Sequence, residues 1–271
     1  MSTHIRQPAV AGSFYPGDPE KLRHEIQQYV AVTGDKIHAI GCVVPHAGYM
    51  YSGHVAGAVY ARLDLPRRFV ILCPNHTGIG EPLAIMSEGS WRTPLGNVSI
   101  DTALAQDLMS RFPLLAEDEL AHRAEHALEV QLPFLQELLG TFTFVPITVG
   151  TSRPDALTAL GIVIADALKD DAERAMIIAS SDMNHYEPDA PTRVKDRKAI
   201  DKMLALDAKG LYDTVVGENI SMCGFGPAVA MLTAAKRLGA KSAQLVKYAT
   251  SGDISGDRDT VVGYAGIAVG P

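Results

Sequence analysis

Apolar residues arrive along this chain in two periods. Short runs rich in β-branched residues occur at 39–44 (AIGCVV), 69–73 (FVILC), 142–149 (FTFVPITV), 175–180 (AMIIAS), 244–248 and 261–268 (VVGYAGIA). They are apolar throughout rather than alternating, which suits strands covered on both faces. Between them, apolar positions recur at helical spacing over 18–31, 53–62, 101–111, 126–139, 154–169, 194–206 and 226–238. Asp18-Pro19 and Ser152-Arg153-Pro154-Asp155 carry helix-start chemistry. In each, a proline falls in the first turn, where its missing N–H leaves no bond unmade. The alternation predicts an α/β fold: a three-layer αβα sandwich with a central mixed sheet. No repeat, low-complexity tract or long linker divides the chain, so 1–271 reads as a single domain.

The polar residues that follow the strands are the informative ones. VVPH places His46 just past one strand, ILCPNH places His76 past a second, and IIASSDMNH places Asp182 and His185 past a third. In open α/β sheets ligands collect where loops leave the strand ends. One histidine there is usually a hydrogen-bonded structural residue. Three in the same topological position would converge, and convergent neutral imidazoles suit a metal. His4, His24, His38, His54 and His122 sit in polar or helical surroundings and read as solvated. His126 and Glu129, at i and i+3 in AEHALEVQLPF, read equally as a ligand pair and as a helix start whose carboxylate the macrodipole favours. PHAGYMYSG reads as a turn after His46, with a helix from Gly53.

Composition narrows the function classes. The net charge of −7 disfavours a nucleic-acid surface, which needs clustered Lys and Arg. No apolar run approaches the ~18 residues of a membrane span, and MSTHIRQPAVAGSFYPG lacks a signal-peptide pattern. Three widely spaced cysteines make no disulfide framework, so a reducing, cytoplasmic setting is expected. Cys42 and Cys73 lie in strands and read as small core residues. Cys223, in SMCGFGP before a helix, reads either as an ordinary buried cysteine or as a thiol whose pKa falls beside a helix N-terminus. Nucleotide-loop, zincin and nucleophile-elbow motifs are absent from the sequence, and SGDISGDRD reads as a hairpin or connecting loop.

Seven segments, QPAVAGSFYPGDPEKL, PHAGYMYSG, PNHTG, WRTPLG, EHALEVQLPF, SSDMNHY and CGFGP, occur in an order that resembles the Memo family. Its bacterial and archaeal members are labelled AmmeMemoRadiSam system protein B. The family is similar in fold to the class III extradiol (LigB-like) dioxygenases, which use non-haem Fe(II) to cleave catechol-type rings. The resemblance implies a metal site in which His46 and His76 match the two histidines and Cys223 stands in place of a carboxylate. It also implies that His185 is the acid–base histidine.

A thiolate in that position softens the site. The softening is toward copper(I) or zinc while iron remains open; the resemblance to iron dioxygenases nevertheless makes Fe(II) the first expectation, copper the second and zinc the third. The leading expectation is a metal-dependent, dioxygenase-like oxidoreductase. Asp182 would orient a ring nitrogen of a nearby histidine, and His126 and Glu129 would support the ligands. Phe14, Tyr15, Tyr49 and Tyr51 would line a flat pocket for a small aromatic molecule, although core packing suits Phe14 equally. The alternative is a non-enzymatic scaffold or peptide-binding module. A third reading is an accessory component working with radical-SAM and AMMECR1-like partners.

Overall fold

The computed structural model describes residues 4–31, 34–169 and 173–271, so the expected 1–271 domain includes a few positions outside the described residues. The strands are β1 (Ile5–Arg6), β2 (Gly41–Val44), β3 (Arg68–Pro74), β4 (Leu83–Ile85), β5 (Ser90–Thr93) and β6 (Gly96–Ile100). They continue with β7 (Ala116–Glu117), β8 (Thr143–Val149), β9 (Met176–Ser180), β10 (His185–Glu187), β11 (Ser242–Thr250) and β12 (Val261–Gly270). The helices are α1 (Pro19–Val30), α2 (Tyr49–Arg62), α3 (Thr102–Arg111), α4 (Leu120–Arg123) and α5 (Leu132–Leu139). After them come α6 (Pro154–Lys169), α7 (Asp189–Leu204), α8 (Ala208–Gly217), α9 (Phe225–Arg237) and α10 (Gly252–Ser255).

The sheet runs β1-β5-β6-β8-β3-β9-β2-β12-β10, with β11 on β12 and β4 on β8. Its centre, β6-β8-β3-β9-β2, is parallel. The flanks add antiparallel pairs, β5 with β6 and β12 with both β2 and β11. Every residue of β2 and β9 is buried, as their unbroken apolar runs require. Helices α1, α2 and α5 pack together on one side, and α3, α6, α8 and α9 on the other. The αβα sandwich with a mixed central sheet is thus the fold.

Helix starts follow the expected chemistry. Asp18, Asp101 and Asp207 each accept a backbone N–H of their own first turn, from Lys21, Leu104 and Gly210. Helix α2 departs from expectation by beginning at Tyr49, so the expected turn is already helix. Two glycines let α1 lie directly on it. A Cβ at Gly57 would sit 2.6 Å from the Tyr29 carbonyl oxygen, and one at Gly53 would sit 2.5 Å from the Tyr29 ring. The SGDISGDRD segment joins the antiparallel pair β11 and β12 and contains the helical turn α10. The sequence reading missed β1, β4, β7 and β10, which are only two or three residues long, and β5 and β6, which alternate instead of running apolar, as well as helices α4 and α8.

Replacing Gly57 by alanine separates local from tertiary preference. The helix gains about 1 kcal/mol of propensity, while overpacking costs about 1–3 kcal/mol. We expect a net fall in the thermal midpoint of roughly 2–6 °C for Gly57→Ala. Gly217→Ala, whose Cβ would meet nothing within 4 Å, should not lower it.

Candidate metal-binding cleft

Strands β3, β9 and β2 are adjacent and parallel, so their C-terminal ends share one edge of the sheet. His46, His76, Asp182 and His185 leave that edge and meet Cys223, which comes over from the turn before α9. Together with Phe14, Ala47, Gly48, His126, Tyr186, Ser221 and Val262 they line a cavity of about 470 Å³. One ligand-capable atom from each of His46, His76 and Cys223 lies within 4.8 Å of the others.

Hydrogen bonds fix how the two imidazoles face. Ser180 Oγ donates its only proton to the Ala127 carbonyl (2.5 Å), so at 3.0 Å it accepts from His46 Nδ1–H. Gln131 Nε2 supplies a second donor to the same hydroxyl (2.8 Å). The His46 lone pair is therefore on Nε2, where Cys223 Sγ lies 3.1 Å away. Burial, reinforced by the rings of His76, His126 and His185, holds the His46 pKa well below its ordinary value. His76 is oriented by Glu125, fully buried, whose Oε1 accepts Nδ1–H (2.9 Å) and whose Oε2 accepts the His76 backbone N–H (2.6 Å). Burial opposes charge on this carboxylate, but bonds from His76 and Ala127 outweigh it and lower its pKa. Burial likewise opposes charge on His76, and the carboxylate outweighs it and raises the imidazole pKa. The arrangement leaves Nε2 of His76 for the cleft.

The remaining expected residues divide. His185 lines the cleft with its Nδ1–H donated to the Ser221 carbonyl (2.8 Å) and its backbone N–H to Ser221 Oγ (2.7 Å). His126 faces the cleft, stacked on His76 at 4.7 Å and 20°. Glu129 does not. Its carboxylate accepts from Arg6, from the backbone of Ala9 (2.7 Å) and Val10 (3.1 Å), and from the Tyr15 hydroxyl (2.6 Å). The cause is local: helical structure begins only at the 3-10 turn Glu129–Gln131, and His126 lies before it, so the two residues do not share the expected helical face.

Asp182 also corrects expectation, because Oδ1 accepts the His46 backbone N–H (2.8 Å) and the carboxylate orients main chain rather than a ring. Burial lifts its pKa to about 6. Phe14 lines the cleft, but Tyr15 and Tyr49 are core residues, and Tyr49 donates to the Val130 carbonyl (2.7 Å). Tyr51 packs against a small cluster of Val55, Ala249 and Tyr264. The Cys223 thiol pKa is raised, not lowered: burial and the Asp182 carboxylate prevail over the helix end. Cys42 and Cys73 are buried core residues. His122, expected in solvent, is completely buried, which drives its pKa down to about 3. Sequence reasoning missed Glu125, Ser180, Tyr186 and Ser221. Glu125 lies in the EHALEVQLPF segment and Ser180 and Tyr186 in SSDMNHY, so only Ser221 fell outside the segments that carry the resemblance.

Comparison with known proteins shows the family and the fold. A family model described as Memo-like protein matches residues 6–268. A MEMO1 family protein of Methanosarcina mazei is 46% identical over 267 residues, 98% of this chain and 99% of that one. One from Methanothermobacter thermautotrophicus is 41% identical over 273 residues, 96% and 99% of the two chains. The crystal structure of an uncharacterised Escherichia coli K12 protein superposes with a TM-score of 0.56 at 13% identity, covering 84% of this chain and 98% of that one, and so shares its fold. With the family model spanning almost the whole chain and relatives above 40% identity over nearly all of it, the protein belongs to the Memo family.

Proposed function

We propose that this chain is a metal-dependent redox protein whose metal is held by Nε2 of His46, Nε2 of His76 and the Cys223 thiolate. The observation that carries the reading is the fixing of both ring tautomers, by Ser180 and by Glu125, so that two imidazole lone pairs and one sulfur meet within 4.8 Å. A histidine ligand that donates its other N–H to a carboxylate is a recurrent support for metal binding. Two nitrogens and one thiolate suit copper, zinc and iron alike, and the redox reading selects iron or copper. Bound there, the metal would supply electron transfer and polarisation of a ligand at the cleft.

The chain's own residues would do the rest. His185, with Nδ1–H committed to Ser221, presents an Nε2 lone pair that can take a proton from a bound hydroxyl and return it. Asp182 keeps the His46 main chain in place. Phe14 and Val262 give the cleft an apolar wall. A metal-free binding module is the rival. In its favour, the Cys223 thiol can donate to His46 Nε2 at 3.1 Å and leave the site hydrogen-bonded without a metal.

Competitive loading with Fe(II) and Cu(I) under anaerobic conditions decides between them. We expect near-stoichiometric metal in wild type, none in His46→Ala, and a shift toward iron in Cys223→Asp. Wild type that takes up no metal would overturn the metal reading, and metal-free protein that still binds a ligand would favour the rival. Glu125→Gln should retain the fold and weaken metal affinity roughly 10–100-fold, measured by chelator competition. His185→Gln should bind metal as wild type does while losing turnover of any substrate found; metal loss in that variant would make His185 a ligand.

A further inference from the structure

Strand pairing does not by itself hold His185 in place. Strand β10 is three residues long, and its register on β12 slips between His185 and Glu187. What holds the ring is Ser221, an exposed residue in the irregular connection between α8 and α9. Its carbonyl accepts His185 Nδ1–H (2.8 Å), and its Oγ accepts the His185 backbone N–H (2.7 Å). A carbonyl can only accept, so the ring is the Nδ1–H tautomer for as long as that carbonyl faces it. An exposed residue outside helix and sheet does not keep its carbonyl there unaided, because water competes for both partners.

Asn184 supplies the missing constraint. Its side chain is fully buried, and Oδ1 accepts both the Ser221 backbone N–H (3.1 Å) and the Ser221 hydroxyl (3.0 Å). A backbone N–H only donates, so the amide oxygen and not the amide nitrogen must face Ser221. Nδ2 then donates to the buried Thr192 hydroxyl (3.3 Å). The Asn184 backbone is anchored as well: its N–H is accepted by Asp196 Oδ1 (2.8 Å), and its carbonyl accepts the Gly263 N–H (2.9 Å). Two successive residues thus grip Ser221, one from the core and one from the cleft. The Cys223 turn has a separate anchor, because Ser181 Oγ accepts the Gly224 N–H (3.0 Å). We propose that Asn184 is a positioning residue for His185: through Ser221 it selects the ring tautomer that keeps the Nε2 lone pair available. This rests on the reading of His185 as the proton-transfer group, but the tautomer is measurable without metal or substrate.

The tautomer is read from the two ring-nitrogen shifts of His185 by long-range proton–nitrogen NMR on the full chain after chelator treatment. Loss of one ring's signals in His185→Gln assigns them. We expect the Nδ1–H form in wild type. Asn184→Ala, which leaves two Ser221 donors without their acceptor, should shift the ring to the Nε2–H form that histidine favours in water. Asn184→Ser, in which water can take the place of the amide, should do the same and covers the case in which the alanine variant does not fold. Asn184→Asp keeps an oxygen acceptor and should restore the wild-type tautomer. A purely structural asparagine would lower the thermal midpoint in these variants without moving the tautomer. Nε2–H in wild type, Nδ1–H retained in folded Asn184→Ser, or Nδ1–H lost in Asn184→Asp would each overturn the proposal. Failure of the metal reading would appear in the loading experiment and leave these spectra as they are.

Discussion

Two charges that never meet bulk water, on Arg6 and Glu129, tie the N-terminal segment to the loop that builds the cleft. The side chains are 4% and 0% exposed, so neither could be buried charged without the other. Arg6 spends its remaining donors on the carbonyls of His122 (2.9 Å) and Glu125 (2.8 Å) and lies 4.1 Å over the Trp91 ring. Glu129 takes two backbone N–H groups and the Tyr15 hydroxyl. The segment from Ile5 to Tyr15 and the loop from His122 to Glu129 are therefore bonded to each other along their length. That loop carries Glu125, which orients His76, and His126, which stacks on it. The Phe14 wall of the cleft is carried by the N-terminal segment bonded to it. A pair of this kind adds little net stability, because desolvation offsets most of its Coulomb attraction. What it contributes is a single permitted geometry.

Crowding of imidazoles gives that geometry its chemical meaning. The ring centroids of His46, His76 and His126 lie 4.7–5.5 Å apart. At such spacing in a buried site the rings cannot all be protonated, since each charge would penalise the next. His46 and His126 are pushed toward the neutral form, first by burial, whereas His76 has a carboxylate of its own. Neutral imidazoles with assigned lone pairs are what a metal needs. The fold prepares the His46 donor in this way, while Glu125 orients the His76 ring and favours its protonated form.

The strand-end histidines were legible because an apolar run announces a buried strand, and parallel strands bring their C-terminal loops to one edge however far apart they lie in sequence. The supporting residues were not, because they depend on phase. Helical structure begins at Tyr49 rather than Gly53 and only at Glu129 rather than His126, which turns Tyr49 and Glu129 away from the cleft, and the buried Glu129 carboxylate draws the Tyr15 hydroxyl with it. Ser180 was hidden for another reason: it is the polar last residue of an apolar strand, and only the His46 ring arriving from the next strand gives it a role. The raised Cys223 pKa shows burial overriding a helix end, a contest of magnitudes that sequence position does not decide.

The loop after β9 joins the two halves of the site. Ser180 sets the His46 tautomer and Asp182 holds the His46 backbone. Two residues later the Asn184 backbone N–H is bound by the buried Asp196 (2.8 Å), and its side-chain oxygen accepts from Ser221 (3.0 Å). Ser221 in turn fixes both the backbone and the ring of His185. Only at Tyr186 does the network stop, at a bulge and a strained φ with the ring in solvent. Before that residue, His46 and His185 are each fixed at backbone and ring by hydrogen bonds that lead back to β9 and the loop after it. Side chains held from two directions keep one geometry, which is what a binding site requires of the groups that line it.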